Sequence, residues 1–161
     1  MSCAEKLEAL FREHQVAYEV QEHHTAYTAL EVAATEHVPG KLVAKAVMAF
    51  ADEKLIMLVL PANRIVDYTK AEEALGIHEF RLASESDFAG VFPDCEVGAM
   101  PPFGNLYGVP VYVDRSLAED EAITFAAGSH TRTMSIRYAD YERLVSPHVV
   151  DCSRQRAVFS A

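Results

Sequence analysis

The chain has 161 residues, half of them apolar, with 24 acidic against 14 basic side chains and a formal net charge of -10. That length closes one hydrophobic core without disulfides or metal, and the apolar content excludes a disordered chain. Cys3, Cys95 and Cys152 are odd in number and widely spaced, so they offer neither a disulfide framework nor a thiol pair for a metal. No apolar run is long enough for a bilayer span, and Met1 to Lys6 lacks the basic-then-apolar layout of a signal peptide, so the sequence reads as soluble and cytoplasmic.

Ser2 and Glu5 have the spacing of a capping box, and Leu7, Leu10 and Phe11 recur at helical intervals, which predicts an amphipathic helix over about 3–14. A strand follows over 16–21. Thr28 and Glu31 repeat the capping signature for a second helix ended by Pro39-Gly40. Strands at about 43–50 and 55–60 form a hairpin through Asp52-Glu53-Lys54, and the unbroken apolar run from Leu55 to Leu60 belongs to a central strand buried on both faces. Beyond it the pattern predicts a short strand over 64–66 and a helix over 69–75, with Glu72 closing a capping box and Gly76 stopping the helix. A strand over 79–82 and a helix over 85–91 come next. Strands over 97–100, 109–114, 123–127 and 132–137 and a helix over 140–145 complete the pattern, and the tail from Pro147 either frays or covers an edge. The class is α+β, with a mixed sheet carrying helices on its outside. No repeat or linker divides it, so residues 1–161 are expected to form a single domain.

Three features carry chemistry. Gly98-Ala99-Met100-Pro101-Pro102-Phe103-Gly104 places a double proline between glycines, a rigid loop that a substrate can approach closely; its amide donors must come from residues other than the prolines. Lys45 shares a strand face with Val43, Val47 and Ala49, where an ammonium is costly unless a cleft or acceptor is near. Gly128-Ser129-His130 turns the chain after a strand, so that Ser129 and His130 face a common cleft. Phe103 belongs either to a pocket wall or to the core.

Other chemistries fit poorly. Ser129 next to His130 lacks the Gly-x-Ser-x-Gly elbow, and neighbouring side chains on a strand face opposite ways. His23, His24 and His37 lack metal-ligand spacing, Cys95 lies between Asp94 and Glu96, which disfavour a thiolate, and there is no Walker loop or dinucleotide fingerprint. No metal or organic cofactor is expected.

Lys45, the Gly98–Gly104 loop, the strand Val109-Pro110-Val111-Tyr112-Val113-Asp114 and the Gly128-Ser129-His130 turn, in that order, resemble the YbaK and prolyl-tRNA-synthetase-associated domain family over about 19–145. The resemblance implies a barrel-like mixed sheet and a trans-acting deacylase that hydrolyses the ester of mischarged tRNA in translation proofreading. It places Lys45 and His130 as catalytic residues, and Gly98, Ala99, Pro101, Pro102, Phe103, Gly104, Gly128, Ser129 and Arg132 around the substrate. The expected partners are the acceptor end of mischarged tRNA and an aminoacyl-tRNA synthetase, with no DNA and no membrane. Ala44-Lys45-Ala46-Val47 departs from the family's Lys-Thr or Lys-Asn pair, which leaves the edited amino acid open. The net charge of -10 requires RNA to be held through a local patch, for which Lys41, Lys45, Arg132 and Arg137 are candidates. The alternatives are a non-catalytic module binding an aminoacyl or nucleotide-like ligand and an interaction subunit of a synthetase.

Overall fold

The computed structural model describes residues 2–23 and 25–156. Helix α1 (Cys3–Glu13) starts where the capping box places it, with the Ser2 hydroxyl accepting from the Glu5 amide, and buries Leu7 and Phe11. Strand β1 (Tyr18–Glu22) leads to α2 (Ala29–Glu36), whose cap is Thr28. That helix ends earlier than the sequence suggests: His37 takes the left-handed conformation at φ 56° and closes the last turn, while Pro39 introduces a 3₁₀ turn at Gly40–Leu42.

Strands β2 (Ala44–Ala51) and β3 (Lys54–Pro61) form the expected hairpin, with Asp52 and Glu53 both at positive φ as a tight two-residue turn demands. Successive side chains of β3 enter two different cores. Met57 and Val59 face one that includes Phe11, Phe103 and Phe125, while Ile56, Leu58 and Leu60 face another with Ala71, Phe80 and Cys152. Strand β4 (Arg64–Val66) and α3 (Tyr68–Leu75) follow, the helix capped by Asp67 and stopped by Gly76 at φ 64°. After β5 (Phe80–Leu82) come a 3₁₀ turn at Gly104–Tyr107, β6 (Val111–Asp114), the short α4 (Arg115–Ala118), β7 (Ala122–Ser129), β8 (Arg132–Arg137) and α5 (Tyr138–Val145).

Two expected elements are replaced by turns. Residues 85–91 are not helical: Asp87 accepts from the amide and hydroxyl of Ser84, competing with helical bonding, and Gly90 sits at φ 83°. Residues 97–100 are not a strand, because Gly98 at φ 84° turns the chain and the Ala99 amide bonds back to the Glu96 carbonyl at 3.0 Å.

The strands form three sheets, in the orders β5-β2-β3-β6-β9, β1-β8-β7 and β10-β4. They are not closed into a barrel. The described part of the tail covers edges: β9 (His148–Val150) runs parallel to β6, and β10 (Ser153–Gln155) pairs antiparallel with β4. Residues 157–161 lie outside the described residues. One parallel bridge, Val43 to Thr124, joins the five-stranded sheet to the three-stranded one.

Candidate active site

Past the Val43–Thr124 bridge, β2 and β7 separate, and a small cleft opens where they part. Ala44 and Ala46 line one wall and Ala126 the other. Strand β5 pairs with β2 only over Ala49–Ala51, so among the described residues Ala44 to Val47 have β3 on one edge and no paired strand on the other. The remaining walls come from Tyr27, Thr28 and Val32 at the start of α2, and from Gly98, Met100, Lys45 and His130.

Lys45 is half-buried on the β2 face that carries Val47 and Ala49, and its Nζ donates to the Arg64 carbonyl at 2.6 Å. Burial, with repulsion from Arg156 second, lowers the pKa of its ammonium below 10.5.

His130 is held from several sides. Its backbone amide donates to Glu96 Oε2 at 3.0 Å, its carbonyl accepts from Ala26, and its ring lies 4.9 Å from that of Tyr27. Nε2 is 2.8 Å from the Val97 carbonyl. A carbonyl only accepts, so this contact assigns the proton of the neutral ring to Nε2 and leaves Nδ1 as the acceptor.

The loop is pinned to a bulge in β7. Gly128 donates to the Ala99 carbonyl at 2.9 Å and accepts from the Glu96 amide at 2.8 Å, which brings Gly98 beside the imidazole: a Cβ on Gly98 would stand 3.5 Å from His130 Cε1. Among the described residues the Gly98 amide has no hydrogen-bond acceptor.

The sequence-predicted residues thus divide. Lys45, Gly98 and His130 line one cleft, and Gly128 and Ala99 brace it from behind. Phe103 is fully buried against Phe11, Phe125 and Tyr141, and Pro102 gives its carbonyl to the Tyr141 hydroxyl at 2.7 Å, so the Pro-Pro-Phe segment anchors the loop in the core. Pro101 is buried, and Gly104 fits between Val109, Val111 and Met57. Ser129 bonds Thr131 at 2.9 Å within the β7–β8 turn. Arg132 is paired with Glu22 across the β1–β8 ladder at 2.9 Å; Lys41 lies in the 3₁₀ turn and Arg137 precedes α5, and these three cations do not line the cleft. Tyr27, Val32 and Ala126 escaped the sequence reading, since nothing local to them marks a cleft made by two separating strands.

No cluster of three or more His, Cys, Asp or Glu able to hold a metal occurs among the described residues; His24 lies outside them. His37 caps α2, and His23 lies 3.8 Å from Glu36. The cleft lining brings together Lys45, the His130 imidazole and backbone amides, while the Lys45 ammonium itself is held on the Arg64 carbonyl at the edge of β4.

The model of the aminoacyl-tRNA editing domain matches residues 23–144. The chain belongs to that family. Over 92 residues it is 29% identical to a proline–tRNA ligase of Thiobacillus denitrificans, a match covering 56% of this chain and 16% of the ligase. Among solved structures, a hypothetical protein superposes with a TM-score of 0.81 at 18% identity, covering 92% of this chain and 99% of its own. A candidate trans-editing enzyme for prolyl-tRNA synthetase superposes at 0.79 and 18% identity, covering 96% and 98%. These structural likenesses establish the editing-domain fold. Among the described residues no helix is long and apolar enough to cross a membrane.

Proposed function

We propose that the protein is a trans-acting aminoacyl-tRNA deacylase, cleaving the ester between a small non-cognate amino acid and the terminal ribose of tRNA in the cytoplasm, alongside a synthetase. The observation that carries this reading is the convergence of Lys45, Gly98 and His130 on one small, alanine-walled cleft in a chain of the editing-domain family. The small lining side chains favour a short aliphatic acyl group. Lys45 supplies positive charge toward the ester carbonyl, the Gly98 amide supplies a donor for the developing oxyanion, and His130 positions the substrate through Nδ1. Neither Lys45 nor His130 needs to act as nucleophile: the vicinal ribose hydroxyl and a water molecule lie within the substrate's own reach. The reaction proposed is metal-independent.

Deacylation of a panel of correctly and wrongly charged tRNAs by the purified protein tests the reading, with and without exhaustive chelation. Faster release of one small mischarged amino acid, unaffected by chelator, is the expected result; no acceleration over the uncatalysed ester rejects it. The net charge of -10 favours a second reading, a module that binds an aminoacyl ligand without turnover. Binding without release in the same assay identifies it.

A further inference from the structure

Half of the 14 lysines and arginines stand in ion pairs with carboxylates. Of the rest, Lys41, Lys54 and Arg137 are dispersed over the 3₁₀ turn, the β2–β3 turn and the start of α5. The other four lie on or beside one two-stranded ribbon, Arg64 on the face of Ser153 and Arg154 on the opposite face with Ile65. Arg64 is on β4, Arg154 on β10 and Arg156 just beyond it, and the Lys45 ammonium bonds the Arg64 carbonyl.

The ribbon holds its cations mainly by neutral groups. Arg64 Nε donates to Ser153 Oγ at 2.6 Å and its Nη2 to the Ser153 carbonyl at 3.2 Å; that same carbonyl accepts from Lys70 Nζ at 3.1 Å. A carbonyl or hydroxyl fixes a cation's position without cancelling its charge, whereas a carboxylate does both. The nearby acids are already engaged: Asp151 faces Lys70 and Arg115, and Asp67 caps α3. Arg154 and Arg156 are exposed. Arg154 lies within β10 and Arg156 immediately follows its last residue. In an acidic molecule this ribbon is therefore a local cationic surface, and Lys45 connects it to the cleft.

We propose that the β4–β10 ribbon, through Arg154 and Arg156, binds the backbone phosphates of the single-stranded 3′ end of an RNA whose last nucleotide enters the cleft. This inference rests on the deacylase reading for its ligand. It moves the RNA contact from Arg132, which Glu22 already neutralises, to the C-terminal strand. Exposed guanidinium groups suit phosphate oxygens, and two such contacts give a modest, salt-sensitive affinity.

The test is fluorescence anisotropy with a non-acylated acceptor-stem RNA hairpin ending in CCA, titrated over a salt series. Replacing both residues, Arg154→Gln with Arg156→Gln, should weaken binding by about tenfold at low salt and flatten the log–log salt slope by about 1.4. Arg154→Lys with Arg156→Lys should keep the slope, and Lys54→Gln should match wild type. Modification of the wild-type protein by phenylglyoxal, read by mass spectrometry, gives a measurement independent of any variant's folding: RNA should protect Arg154 and Arg156 and leave Arg12 reactive. Unchanged slope in a folded Gln variant, or absence of protection, overturns the proposal. Deacylation of mischarged tRNA is measured separately. Altered RNA binding with no wild-type deacylation would reject the hydrolytic reading and retain the surface; active deacylation with unaltered binding would do the reverse.

Discussion

Cys3 occupies the space that a side chain at position 128 would need: a Cβ built on Gly128 would lie 2.5 Å from Cys3 Cβ and 2.7 Å from its Sγ. Gly128 also holds φ 86°, closed to most L residues, and both its backbone groups hold the loop that carries Gly98. Packing of the first helix and shape of the cleft therefore meet at one glycine.

Gly128→Ala should cost about 2–4 kcal/mol, combining backbone strain with overpacking against Cys3. Urea unfolding measures it. A loss below about 1 kcal/mol would mean that α1 yields freely at its N-terminus.

Lys45→Met separates catalysis from stability. Losing the ammonium should lower the single-turnover deacylation rate roughly a hundredfold. The stability effect follows from the lowered pKa: between that value and 10.5 the unfolded chain binds more protons than the folded one, so wild-type stability rises with pH through this window. The methionine variant lacks that rise. Unfolding curves at neutral and alkaline pH should show wild type gaining on the variant; parallel curves would mean that the ammonium is as well solvated as in water.

His130→Ala should reduce turnover less than Lys45→Met and blur discrimination among acyl groups by roughly tenfold, because the imidazole fixes the Val97 carbonyl and packs on Tyr27. Single-turnover assays with a preferred and a disfavoured aminoacyl-tRNA resolve rate from selectivity. Unaltered selectivity would leave the ring with a bracing role alone.

Asp114 anchors the tail. Burial opposes its ionisation, yet bonds from the Ser116 hydroxyl and amide and from the Cys152 amide outweigh that cost and hold its carboxyl below the ordinary 3.8. Asp114→Asn should cost about 2–3 kcal/mol at neutral pH. The carboxylate's contribution is complete above 3.8 and is lost as pH falls through the lower folded value, so wild type and variant should converge in acid. A constant gap in acid unfolding experiments would exclude the linkage.

Local chemistry made much of the fold legible. The β2–β3 hairpin, β4 and β8 fall close to or at their predicted bounds, because alternation and turn residues lie within a few positions of one another. Residues 85–91 failed because side-chain bonds of Ser84 and Asp87, invisible to periodicity, prevail over a weak helical pattern. Strands β9 and β10 exist only because β6 and β4 offer edges distant in sequence. Lys45, Gly98 and His130 were readable as candidates from motif order. That they share a cleft with Ala44 and Ala126 depends on where β2 and β7 part, a register between sheets that no short window contains.

Where Ala44, Ala46 and Ala126 form its walls, this cleft is blind to alanine scanning, since the substitution is already in place. Informative variants must add atoms instead. A methyl or two at these positions shrinks the space available to an acyl group, so selectivity can shift by small increments of volume while Lys45 and His130 stay unchanged. Variation among closely related chains at such plain positions would then record a change of substrate more faithfully than variation at the charged ones.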